Sequence, residues 1–225
     1  MNALAQTTPR GNRTDGADTR ARILETAGRL FAENGFAQTA NKAIAADAQV
    51  DLASINYHFG NREGLHRAVL IEAHSRIMSL QQLQQLAESP LPPEAKLAGL
   101  IRQIIANLLQ NRGWHIDVLA QALVNAGSRK LVESAILPKA QAFRRILSQI
   151  SGIPENDPAL TLCQLSTIAP LLVLFVFGND LPLPLQDLQN TPPDALAEHL
   201  HRYALAGLKT AGKAWRAVCD TEIQC

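Results

Sequence analysis

With 225 residues and a formal net charge of +1, the chain can build one large domain or two modest ones, and it is too near neutrality to act as a wholesale nucleic-acid coat. Hydrophobic residues at 47% supply a substantial core, while aromatics at 4% beside plentiful Ala, Leu and Gln favour helices over sheets, because those side chains lose little freedom in a helix. Residues 1–67 carry eight basic and seven acidic side chains, so charge totals do not point to DNA and only their placement can.

Cys163, Cys219 and Cys225 stand far apart, without a C-x-x-C pair. An odd count at such spacing does not read as a disulfide framework, and a reduced, cytoplasmic setting is expected. Residues 1–18 are polar and lack the apolar run of a signal peptide. The most apolar stretch is residues 168–177, interrupted by Pro170. A membrane span needs about 20 residues, so this stretch reads as a buried helix and no membrane partner is expected.

Residues 1–17 show no periodicity and are expected to form a flexible arm. Ile23, Leu24, Ala27, Leu30 and Phe31 then fall on one helical stripe, with Asp18 or Thr19 as candidate cap and Gly35 as the stop. A short second helix is expected over 40–48, capped by Thr39, with Ile44, Ala45 and Ala48 inward. After the turn Gln49-Val50-Asp51, Asp51 caps a third helix over 52–58, Phe59 packs back, Gly60 breaks the chain and Asn61 caps a fourth helix. That helix is expected to run from 62 to 86 as a long connector, stopped by Pro90, Pro92 and Pro93. Further helical blocks follow at about 94–110, 114–126, 129–151, 158–178 and 194–216, with Pro138 and Pro170 expected to kink or break theirs. The fold class is all-α: a three-helix helix-turn-helix domain over 18–66, joined by the long helix to a helical domain over 67–225.

The third helix carries the function. Its inward positions are Leu52, in part, and Ile55, and the others point outward. A major groove about 12 Å wide admits one helix, and Ala53 and Ser54 are small enough for a close approach. Asn56 can pair bidentately with adenine, while Tyr57 and His58 can reach phosphate oxygens. Asn41 and Lys42 open the second helix, and Arg62 opens the fourth, where free N–H groups also attract an anion.

The run from Gly35 to Leu65, GFAQTANKAIAADAQVDLASINYHFGNREGL, resembles the signature of the TetR family of transcriptional regulators. Its marks are Gly35-Phe36, then Thr39 with Ile44-Ala45, the short turn, and the aromatic Tyr57-His58-Phe59 followed by a small residue, Arg62 and Glu63. The segment Asn56 to Gly60 is similar to a subgroup that includes regulators of fatty-acid breakdown and of drug export. The resemblance implies that Asn41, Lys42, Ala53, Ser54, Asn56, Tyr57, His58 and Arg62 face DNA. At the turn, where the family has A-G-V-S, this chain has Ala48-Gln49-Val50-Asp51. Gln49 lacks glycine's conformational freedom, so mild strain or altered geometry is expected there.

Residues 94–216 show no nucleophile, phosphate-loop or dinucleotide signature, so no enzymatic activity and no cofactor are expected. His199 and His201 sit two apart, on different sides of a helix, and read as a solvated pair rather than metal ligands. His66 and His74 read as packing or surface residues. The resemblance implies a small, often hydrophobic effector held among the rear helices. Trp114, His115, Val118, Leu119, Ala122, Phe143 and Ile146 are the candidate lining. It also implies a homodimer closed by the last two long helices, through Leu160, Leu165, Ile168, Leu171, Leu172, Phe175, Leu196, Leu200, Leu205 and Leu208. The resulting expectation is a repressor that binds a two-fold operator and is released by a small molecule. The alternatives are a DNA-binding dimer governed by a protein partner or by no effector, and a helical enzyme with an incidental front module.

Overall fold

The computed structural model describes residues 11–178, 181 and 185–222, and every regular element among them is helical. In chain order these are α1 (Gly11–Asn34), α2 (Asn41–Asp47), α3 (Leu52–Phe59), α4 (Arg62–Ile77), α5 (Leu80–Glu88), α6 (Pro93–Leu109), α7 (Trp114–Val124), α8 (Ala126–Ser151), α9 (Pro158–Phe177) and α10 (Pro193–Glu222), with a 3₁₀ turn at Leu185–Asn190 before the last.

The buried side chains form two clusters. The front core takes Ile23, Leu24, Ala27 and Phe31 from α1, Ile44 and Ala45 from α2, Ile55 from α3, and Leu65, Val69, Leu70 and Ala73 from α4. These four helices do not close the core alone, and α7 completes it with Val118, Leu119 and Ala122. The domain boundary expected at 66/67 therefore falls inside α4, whose later turns still belong to the front core. The rear core joins α5, α6, α8, α9 and α10 around Leu97, Ile101, Ile105, Leu108, Ile146, Leu147, Leu160, Leu174 and Leu208.

Several local expectations hold for local reasons. Asp51 caps α3 by accepting from the Ser54 amide at 2.6 Å, and Asn61 caps α4 by accepting from the Gly64 amide at 2.7 Å. Gly35 and Gly60 take φ of +79° and +78° at the ends of α1 and α3, a backbone state that costs glycine nothing. Gln49 also stands at φ +53°, the one non-glycine residue with positive φ among the described residues, so the expected strain of this turn is present.

Other expectations are corrected. α1 starts at Gly11, so the expected arm is helical from there on, and residues 1–10 lie outside the described residues. Thr39 does not cap α2; its hydroxyl donates to the carbonyls of Leu30 and Gly35 and ties down the end of α1, while Ala40 is the capping position. The connector is two helices. Ser79 accepts from the Gln82 amide at 3.1 Å while the Gln82 side chain accepts from the Ser79 amide at 2.9 Å, a reciprocal capping box that restarts the chain as α5. Neither Pro138 nor Pro170 breaks its helix.

The apolar run is also longer than expected. α9 has 20 residues and is long and apolar enough, by length and composition, to cross a membrane. It packs against α6, α7, α8 and α10 within the rear unit. Leu160, Leu171, Leu196 and Leu208, expected at a dimer face, instead fill the rear core. Leu165 and Leu172 are exposed, beside Leu162, Val173 and Phe177.

Candidate DNA-facing surface and candidate ligand cavity

On α3, Ile55 is fully buried and anchors the helix, which turns the opposite side to solvent. Ala53, Asn56 and Tyr57 lie on that side at i, i+3 and i+4, all exposed, with Tyr57 at 85%. Ser54 and His58 flank them, half-exposed, and the His58 ring meets Tyr57 edge-on at 5.1 Å. Lys42 is exposed on the first turn of α2. An outward phenol, an amide and an ammonium, backed by small residues, can donate to phosphate oxygens and read a base edge.

Two of the expected contact residues are turned inward. Arg62 donates to the carbonyls of Thr39 (2.7 Å), Phe36 and Ala37 and lies over the Phe36 ring at 4.6 Å. Its guanidinium is spent on the loop between α1 and α2, whose free carbonyls draw the donors away from solvent. Asn41 is half-buried, and its Oδ1 is enclosed without a hydrogen-bond partner among the described residues.

His66 sits beneath this loop. Its ring stacks on Phe36 at 3.9 Å with the planes 8° apart, and Phe31 meets it edge-on at 5.8 Å. Burial, reinforced by the Arg62 charge and opposed by Glu63, pushes the imidazole down to about 4, so it is a neutral packing group at physiological pH.

The front and rear units meet along α1 and α7. The Trp114 indole lies against Gly28, where any β-carbon would stand 2.5 Å from its ring atoms. Its Nε1 donates to Glu25 at 2.8 Å, and Arg76 lies over the ring at 4.8 Å while pairing with Glu25 at 2.8 Å. Gln121 donates to the Ala32 carbonyl at 2.9 Å further along.

Behind this seam is a cavity of about 410 Å³ among α4–α9, within the usual range for a small-molecule site. Of the seven lining residues expected, Leu119, Ala122 and Phe143 are there. Trp114 and Val118 face the front unit instead, because Gly28 leaves room on α1 for the indole and Val118 follows it round the helix. His115 is half-buried, its ring against Gly113 and edge-on to Trp114, and Ile146 is fully buried in the rear core.

Sequence reasoning missed most of the wall: Ile77 at the end of α4 and Met78 just after it, Leu100, Ile101 and Ile104 from α6, and Thr167, Ile168 and Leu171 from α9. It also missed the polar groups His74, Lys139 and Gln164. One signal was available, since Lys139 interrupts an apolar stripe formed by Ile136, Ala140 and Phe143. On α10, His201 is half-buried with Nε2 3.0 Å from the Glu94 carbonyl rather than solvated, and His199 is exposed.

Comparison with known proteins places this arrangement. The family model described as bacterial regulatory proteins, tetR family, matches residues 23–69, from the middle of α1 to the middle of α4. The HTH-type transcriptional regulator UidR of Escherichia coli strain K12 is 31% identical over 185 residues, covering 73% of this chain and 94% of UidR. Among solved structures, FadR from Bacillus subtilis in complex with stearoyl-CoA shares the fold at a TM-score of 0.66 and 19% identity, over 83% of this chain and 98% of that one. NalD of Pseudomonas aeruginosa, the secondary repressor of the MexAB-OprM multidrug efflux pump, does so at 0.61 and 23% identity, over 86% of this chain and 98% of that one.

Proposed function

The chain belongs to the TetR family of bacterial regulatory proteins, and from that premise we propose that it is a ligand-responsive transcriptional repressor that binds a two-fold operator as a homodimer and is released by a small, largely apolar effector. The observation that carries the reading is the outer side of α3: an anchored helix, capped at its start, with Ala53, Asn56 and Tyr57 open to a duplex groove. Lys42, Ser54 and His58 extend that surface, whereas Arg62 serves it by fixing the loop behind α2. Relatives and fold neighbours that are regulators, one of them solved with stearoyl-CoA, support the same reading.

A second copy of the chain is the occupant expected on the exposed apolar side of α9, where Leu162 and Leu165 remain 67% and 61% accessible beside Leu172, Val173 and Phe177. Two copies are also needed because one three-helix module reads too short a site for operator specificity. The effector acts by binding unequally to two arrangements of the rear unit, for without a difference in affinity it shifts nothing. A protein partner in place of a small molecule is disfavoured by the cavity, which exceeds the roughly 300 Å³ at which such sites begin.

The test is selection of bound genomic fragments followed by gel-shift titration at fixed salt. Tyr57→Ala should weaken binding by about 5- to 150-fold, the loss of a contact worth about 1–3 kcal/mol, without altering the oligomeric state. Lys42→Ala should weaken all sequences alike and lower the salt slope by about 0.9, one phosphate. Wild-type affinity and slope in both variants would remove α3 and α2 from the interface.

A further inference from the structure

The cavity is apolar except at one place. Among the described residues, His74, Lys139, Gln164 and Thr167 are its only polar lining residues, and no carboxylate lines it. Lys139 is half-buried there, with its Nζ 2.8 Å from His74 Nδ1 and 3.0 Å from the His74 carbonyl. An ammonium has three N–H donors and no acceptor, so His74 must receive at Nδ1 as a neutral ring that carries its proton on Nε2. Two of the three donors are thereby committed. Among the described residues the third has no acceptor, and no Asp or Glu pairs with Lys139.

An uncompensated cation beside apolar walls is costly unless something of opposite charge answers it. Burial pushes Lys139 down to about 8, which leaves it protonated at neutral pH, and burial with the Lys139 charge pushes His74 down to about 4, which keeps it the neutral acceptor.

Building on the proposed effector cavity, we infer that its ligand is an amphipathic organic acid, whose single carboxylate accepts from the free N–H of Lys139 while its apolar body fills the space between α6 and α9. The walls set the rest of the ligand. Ile101, Ile104, Leu119, Phe143, Ile168 and Leu171 offer no donor or acceptor, so a second charge would be stranded. The Thr167 hydroxyl already donates to the Cys163 carbonyl at 2.8 Å, and the Gln164 Oε1 accepts from Arg144 at 3.2 Å. The Gln164 N–H groups are neutral donors, so Lys139, which carries the charge, is an anion's main partner. Taking about 30 Å³ per water-sized group, 410 Å³ accommodates roughly a dozen heavy atoms, which is a medium-chain acid.

The experiment is calorimetric titration of the full chain with decanoate and with decanol, which share a body and differ in charge. The measured quantity is the ratio of their affinities in the wild type, in Lys139→Met and in Lys139→Gln, each first shown to keep the wild-type helical circular dichroism spectrum. Removing a charge-assisted hydrogen bond should lower the acid-to-alcohol ratio by about tenfold or more in both variants while decanol affinity stays within about threefold. A ratio unchanged by both substitutions overturns the acid assignment and leaves Lys139 as a cap on the last turn of α4, with the cavity still an effector site. If neither compound binds the wild type at millimolar concentration, the acid assignment and the effector cavity fall together.

Discussion

Gly28→Ala adds one methyl group at the seam between the two units. The new carbon would sit 2.5 Å from three ring atoms of Trp114, about 1 Å inside ordinary contact, and the indole must move. It cannot move freely, because Glu25 holds its Nε1 and Arg76 covers its face. Overpacking of this kind costs about 1–3 kcal/mol, and a displaced hydrogen bond to a carboxylate about 1.5–3 kcal/mol more. Against that, alanine is favoured over glycine inside a helix by about 1 kcal/mol. The expected net loss is about 3 kcal/mol, within a range of about 1.5–5 kcal/mol. It should appear as a lower urea midpoint by circular dichroism at fixed protein concentration, with a shift of tryptophan emission. The discriminating measurement is the same substitution in a Trp114→Leu background. With the indole gone the clash disappears and only the helix preference remains, so Gly28→Ala should there become neutral or stabilising by up to about 1 kcal/mol. The same loss in both backgrounds would show that the methyl group does not act through Trp114 and would refute the account of the seam.

The remaining predictions concern the front unit. His66 has its folded-state value lowered to about 4 from an ordinary 6.5, so the unfolded chain binds the extra proton between those limits and stability falls as pH drops from about 6.5 towards 4. By pH 4.5 its share of the loss should be about 2 kcal/mol, and urea midpoints at pH 7 and pH 4.5 should lie closer together for His66→Phe than for the wild type. Arg62→Ala should destabilise the chain by about 2 kcal/mol, because several carbonyls of residues 36–39 lose a charged donor; an unchanged melting temperature would return Arg62 to the solvent side. At φ +53°, Gln49→Gly should stabilise by up to about 1 kcal/mol and Gln49→Val should destabilise by at least as much, and equal denaturation midpoints would contradict the strain assigned to this turn.

What was legible in the chain was what neighbouring residues decide among themselves. Asp51, Asn61, Gly35 and Gly60 mark the helix ends because each acts on backbone groups within a few positions, and the exposed side of α3 follows once Ile55 is placed inward. The break at Ser79 was legible too, as Ser79-Leu80-Gln81-Gln82, but scattered apolar residues on both sides gave a false impression of one helix. Arg62 could not be read locally, since the carbonyls it serves lie 23 to 26 positions earlier and an arginine beside a DNA-like motif looks like a phosphate contact. The cavity was beyond reach for the same reason on a larger scale. It exists only where α4–α9 converge, and α7 divides its side chains between that space and the front core according to a glycine on α1.

That division makes Leu119 and Ala122 a party wall. Each belongs to the buried cluster under α1 and α4 and also lines the cavity, and Phe175 of α9 reaches the same boundary. The compartment that can hold a guest and the block that carries α3 are thus separated by the thickness of a side chain, with no relay of intermediate residues between them. A guest that crowds this wall pushes on the foundations of α1 and α4 at once.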